Sequence, residues 1–252
     1  MSSVIAIVIA VGAASLTARL YFSGLHRRYR AFFLFMVFFT LQNAALLVLA
    51  PDSGAYQKVW VLSEPFEWFF YAWVVLELFS LVLRDYQGLY TVGRWSLILA
   101  TSIALLASVF SLAVPSHATT QGRLLAYYYV AERAVYFSLV VFLLTILILL
   151  TRYPITLNRN TIVHSLVFSV YFAGNTAIFL ILSTHGSDAL RIATYATLAV
   201  NLGALGTWLA MLNPAGERCP RKLRPPWMPG REDELSKQLN SLNAALLRVA
   251  RG

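Results

Sequence analysis

Charge is what this sequence has least of. Asp, Glu, Lys and Arg make up 12% of its 252 residues, and lysine occurs only at Lys58, Lys222 and Lys237. Soluble domains carry roughly a quarter charged residues, so a water-facing globular surface is excluded as the main architecture. Cysteine is reduced to Cys219, which excludes an internal disulfide and any cysteine-rich metal centre. The four histidines, His26, His117, His164 and His185, are scattered and form no H-E-x-x-H pattern, so no metal site is expected. His164, at the mouth of an apolar run, reads as a loop-end residue. There is no G-x-S-x-G, no phosphate-cradling glycine loop and no visible nucleophile–base pair. The chain is therefore not expected to be an enzyme or to hold a cofactor. A retinal-type Schiff base needs a lysine inside an apolar run, and none of the three lysines lies in one.

What the chain has instead is apolar length. It is 59% hydrophobic, with a mean hydropathy of +0.67. A membrane span takes about 20 mostly apolar residues, and seven such runs appear: Val4–Leu25, Ala31–Leu49, Trp60–Leu83, Trp95–Val114, Leu124–Thr151, Ile162–Ser183 and Ala189–Leu212. Turn residues separate several of them, as at Pro51-Asp52-Ser53-Gly54 and His185-Gly186-Ser187-Asp188. A transmembrane barrel would show short alternating segments, and the sequence has none. The expected fold is an all-α polytopic membrane protein with seven transmembrane helices over 1–213 and a basic tail over 214–252. The expected location is a bacterial inner (plasma) membrane.

Orientation follows from where the arginines fall. Arg27, Arg28 and Arg30 follow the first run, Arg84 and Arg94 bracket the loop after the third, and Arg152 and Arg159 follow the fifth. The tail adds eight more basic residues, from Arg218 to Arg251, whereas the opposite loops have only Lys58, Arg123 and Arg191. The N-terminus is thus expected outside and the C-terminus in the cytoplasm. With most of its basic residues in short loops and the tail, the net +9 points to anionic lipid headgroups as partners, not to nucleic acid.

After the last run, Pro220, Pro225, Pro226 and Pro229 predict an extended linker. From about Arg231 to Val249 a helix is expected, because Leu235, Leu239, Leu242, Leu246 and Val249 recur at alternating spacings of four and three. That single apolar stripe could pair with a second copy, lie on the membrane or bind a cytoplasmic protein.

Ionisable groups inside a span are costly and mark sites or structural pairs. Glu64 and Glu67 lie in the outer part of the third run, with Tyr71 a turn deeper. Glu132, Arg133 and Tyr136 lie at similar depth in the fifth, Gln42 and Asn43 in the second, and Asn175 in the sixth. These nine residues are the candidate ligand-binding layer, and Arg133 is expected to face the third run and pair with Glu67 or Glu64. Deeper, Arg19, Glu77 and Arg84 are candidates for a buried ion pair. The leading expectation is a sensor or receptor-like module that binds a small ligand through this outer layer and signals through a cytoplasmic partner. A small transporter or proton-translocating protein, and a structural membrane subunit, are the alternatives.

Overall fold

The computed structural model describes residues 3–50, 53–83, 86, scattered positions between 88 and 102, 132–144, 156–185, 189–218, 220–222 and 232–251. These residues are predominantly helical. Helices α1 (Ser3–Phe22), α2 (Arg30–Val48) and α3 (Gly54–Val82) are followed by a helical stretch over 132–144, here α4. Then come α5 (Arg159–His185), α6 (Leu190–Met211) and α7 (Glu232–Arg251). One antiparallel pair, β1 (Thr156–Asn158) with β2 (Pro220–Lys222), ties the start of α5 to the chain beyond α6.

Five helices are long and apolar enough to cross a membrane: α1 over Ile5–Phe22, α2, α3, α5 over Arg159–Leu182, and α6. Seven were expected. The fourth expected span, Trp95–Val114, lies outside the described residues but for a few helical positions, and of the fifth only 132–144 is described. Helix α1 packs on α2 and α6, α2 on α3, and α5 on α6, and α3 meets α5, which closes a ring. Tyr136 of α4 packs against Tyr71 of α3 and Phe179 of α5, so α4 lies against both. The core runs through Leu16, Phe32, Val75, Leu139, Phe168 and Phe172, all within 1% of complete burial. The outer faces are apolar too: Val11, Leu62, Phe69, Val170 and Ile192 are exposed. Helices that are apolar all round belong in lipid.

The helix ends show how the expected boundaries shift. Helix α1 stops at Phe22, three residues before the apolar run does, because Gly24 adopts a left-handed φ of 73° and the Ser23 and Gly24 amides turn back onto Arg19 and Tyr21. Glycine takes that conformation without a Cβ penalty. Helix α3 begins six residues earlier than its apolar run, at Gly54, because the Ser53 hydroxyl caps it by accepting from the Tyr56 amide at 3.1 Å. Its 29 residues span about 43 Å at 1.5 Å each, more than the roughly 30 Å of a hydrocarbon core.

Arg19 and Glu77 do not pair with each other. Glu77 accepts from the Ala31 and Phe32 amides at 3.0 and 3.3 Å. It thereby supplies from α3 the capping oxygens that the first turn of α2 lacks, since Tyr29 at the N-cap makes no side-chain cap. A carboxylate there also meets the positive end of the helix dipole. Arg19 instead donates to the Leu209 carbonyl near the end of α6. The expected Arg19–Glu77 pair is therefore replaced by two helix-end contacts, which satisfy backbone groups that would otherwise be orphaned in lipid. Arg84 lies outside the described residues.

The tail helix lies on the protein itself. Leu239 is buried, and the Asn243 Oδ1 accepts from the Gly88 amide at 2.8 Å. Leu246 lies close against Gly88, while Leu242 is 44% exposed. Two of the five stripe positions are thus occupied by the chain's own fold. The side chains of Leu235 and Val249 lie outside the described residues.

The Glu77 cap leads to the first prediction. Glu77→Ala should destabilise the detergent-purified protein by about 1 to 2 kcal/mol, the usual cost of losing a helix cap. Glu77→Gln, which keeps one acceptor oxygen, should lose less. Chemical unfolding followed by far-UV circular dichroism checks the order.

Candidate functional site

The polar residues of the candidate layer surround one cavity of about 340 Å³, within the range of small-ligand pockets. It lies at the end of the bundle where α1, α3 and α6 begin and α2 and α5 end. Helix α2 contributes Gln42 and Asn43, α3 contributes Glu64, Glu67 and Tyr71, α4 contributes Glu132 and Tyr136, and α5 contributes Asn175. All of these except Asn43 are buried. A wider hollow of about 790 Å³ lies at the opposite end beside Arg27, Arg28 and Ser80, but among the described residues of its lining only Leu83 is buried. Buried polar groups are costly unless they are used, so the first cavity is the candidate site.

Three tyrosines form one wall. Tyr71 and Tyr171 share a hydroxyl–hydroxyl hydrogen bond at 2.8 Å. Tyr136 packs between them, its ring centre 5.7 Å from that of Tyr71 and 6.3 Å from that of Tyr171. Glu64 and Glu67, three residues apart on α3, share a helix face on either side of Pro65. Proline has no amide hydrogen, so the Val61 carbonyl loses its helical partner just where the acids enter the cavity.

Each of these amides uses an N–H within the bundle. Asn43 donates to the Phe39 carbonyl at 2.8 Å and Asn175 to the Tyr171 carbonyl at 2.9 Å. Gln42 donates to the Ser63 hydroxyl at 2.8 Å, and Ser63 in turn donates to the Trp60 carbonyl. That chain fixes the amide orientation, because the Ser63 oxygen is left to accept. The Gln42 carbonyl oxygen is buried with no hydrogen-bond partner among the described residues.

Eight of the nine candidate residues line the cavity; Arg133 does not. Successive residues of a helix point about 100° apart, and in α4 it is Glu132 that is turned inward, with Arg133 half-buried beside it. The ion pairs among the described residues include none from Arg133 to Glu67 or Glu64. Sequence reasoning did not single out Thr194, Thr197 and Asn201, which complete the lining from α6. Their spacing of three and four, one face of a helix, was the signal that could have found them.

A second polar cluster, with no counterpart among the sequence candidates, closes the other end. Glu217, in the 3-10 turn after α6, accepts from Tyr29 at 2.6 Å, Asn158 at 3.0 Å and Asn160 at 2.8 Å, and pairs with Arg28 at 2.7 Å. Asn160 also donates to the Asn213 carbonyl. A Cβ at Gly216 would run into the Asn160 side chain, so only glycine fits there. His164 is fully buried beside this cluster, between Tyr29 and Phe32, and is not the loop-end residue expected.

Comparison with protein-family models, with curated proteins and with solved structures gives no match. The chemistry of the site rests on its geometry.

Burial, and next the carboxylate of Glu217, push the Tyr29 phenol above its usual value of 10.0. The folded state thus favours the neutral phenol. Its contribution to stability is complete below about pH 10 and is lost as pH rises further, where the unfolded chain ionises first. Unfolding measured from about pH 9 upward should show the wild type losing stability more steeply than Tyr29→Phe, although Tyr29→Phe should be the less stable of the two at neutral pH.

Proposed function

We propose that this chain is an integral membrane ligand-binding module of receptor type. The observation that carries the reading is the cavity itself, in which polar side chains from α2, α3, α4, α5 and α6 converge on one space of ligand size. A bundle held together only by polar pairs has no need of such a space, because interior packing normally leaves few voids. Relay-type transport is less well supported. It needs titratable groups through the thickness of the bundle, and Glu77, about 15 Å below Glu67 along α3, is engaged in capping α2.

In this reading the cavity opens to the outside of a bacterial inner membrane, and the Glu217 cluster faces the cytoplasm. Arg27, Arg28, Arg30, Arg159, Arg218, Arg221 and Lys222 all lie at the Glu217 end, which supports that orientation under the positive-inside rule. The remaining expected spans complete seven helices, with the N-terminus outside. Output passes to a cytoplasmic partner at the tail helix, where Leu242 remains exposed.

Cysteine labelling tests both openness and orientation. In a Cys219→Ser background, Thr197→Cys in intact cells should react with a membrane-impermeant cationic methanethiosulfonate added outside. Reaction only after the cytoplasmic face is opened would reverse the orientation. No reaction from either side would remove the ligand-binding reading.

A further inference from the structure

We propose that the hollow at the Glu217 end of the bundle binds a phosphate group, presented by an anionic phospholipid and held by Arg27 and Arg28. The proposal is independent of the ligand cavity at the other end.

The hollow, of about 790 Å³, opens between the turn that joins α1 to α2 and the last turns of α3. Gly24, Arg27 and Arg28 line it from the turn, Ser80 and Leu81 from α3, and Tyr90 from the chain beyond α3. Its described lining holds two guanidinium groups and no carboxylate. Leu25 and Tyr29, on either side of the arginines, are buried, so the backbone that carries them is anchored. Arg28 pairs with Glu217 through Nε at 2.7 Å, and its two terminal nitrogens have no partner among the described residues. Arg27 is exposed. Its carbonyl accepts from Arg30 Nε at 3.3 Å, but among the described residues no hydrogen bond or ion pair engages its side chain. Tyr90, stacked on Phe79 with ring centres 5.8 Å apart, adds a hydroxyl to the lining.

Arginines at the end of a span set topology whether or not they bind anything. These two differ in sharing one hollow with their guanidinium donors unspent. A planar guanidinium fork matches the oxygens of a phosphate and can meet two at once. The level of the hollow selects the source of that phosphate. Helix α1 ends at Phe22 and α3 at Val82, so the hollow lies where two spans leave the hydrocarbon. Tyr21 and Phe22, just before Gly24, are exposed, as aromatic rings at headgroup level are. A phospholipid can set its phosphate in the hollow and its acyl chains along these rings. A free phosphate has no use for them.

Native mass spectrometry of the detergent-purified full chain, titrated with single lipids, tests this. Dioleoylphosphatidylglycerol should bind at least about fivefold more tightly than dioleoylphosphatidylcholine, whose choline offsets the phosphate charge. Arg27→Gln should weaken the phosphatidylglycerol by about fivefold, the worth of one arginine at an anionic surface. Arg218→Gln removes an equal charge from an exposed residue of the same end, outside the described lining, and should leave binding unchanged. Equal losses in the two variants would mean diffuse surface attraction and overturn the site. Equal binding of the two lipids, or retention of neither, would overturn it as well. If glycerol phosphate binds as tightly as the lipid and is weakened by Arg27→Gln, the lipid source is overturned and the phosphate site stands.

Discussion

A helix that ends inside an apolar medium leaves backbone N–H and C=O groups with no water to meet them. In this bundle the start of α2 and the end of α6 are met by charged side chains from other helices, and the height of the helices against one another depends on that. Glu77 reaches from α3 to the first turn of α2, and Arg19 from α1 to the last turn of α6. Glu217 gathers Tyr29, Arg28, Asn158 and Asn160. Each contact crosses between segments, so each fixes the height of one helix against another. A slide of α2 by one turn, about 5.4 Å, would break the Glu77 cap and also carry Gln42 off the level of Glu67. The capped end thus sets the level at which the cavity residues meet at the far end.

The cavity is a different case, since its polar groups come from several helices and line one shared space. Tyr71 and Tyr171 satisfy one another, and Asn43 and Asn175 satisfy carbonyls of their own helices. The three glutamates, drawn from α3 and α4, face a shared space whose described lining includes no basic side chain. Replacing them with apolar residues would let the helices close up, and buried ionisable groups are often neutral or adverse to stability. Under the ligand-binding reading their presence is accounted for by use, since stability is commonly given up at functional sites.

Much of this was legible before any coordinates. Runs of about 20 apolar residues located the five candidate membrane-spanning helices, because hydropathy and backbone satisfaction in lipid act on the same scale of length. Depth along those runs picked out eight of the cavity residues, since residues at equal depth on neighbouring helices are within reach of each other. Azimuth was not legible. Nothing in the sequence says whether Glu132 or Arg133 faces inward, because that is set by packing against α3 and α5. Opposite charge suggested an Arg19–Glu77 pair, but backbone groups at helix ends competed for both and won. The Glu217 cluster was hidden for a different reason. Its members come from short connecting stretches and the first turn of α5, and a loop such as Asn213-Pro214-Ala215-Gly216 shows where a helix stops without showing what it will touch.

The two ends are joined by aromatic packing. From the tyrosine wall, Tyr171 packs on Phe172 with ring centres 5.5 Å apart, and Phe172 on Phe168 at 5.5 Å. Phe168 lies 6.2 Å from His164, and His164 lies 4.6 Å from Tyr29, which reaches Glu217. Four of these side chains sit on α5, and their rings are buried. Close-packed interiors do not deform continuously; they move between discrete arrangements of whole elements. Under the receptor reading, occupation of the cavity can reach the other end only if it favours a different setting of α5 against α2 and α3. The Glu217 cluster is well placed to register such a change, because β1 leads directly into α5 and Tyr29 directly into α2. Spatial continuity alone does not establish coupling. It does identify α5 as the element whose position both ends would have to share.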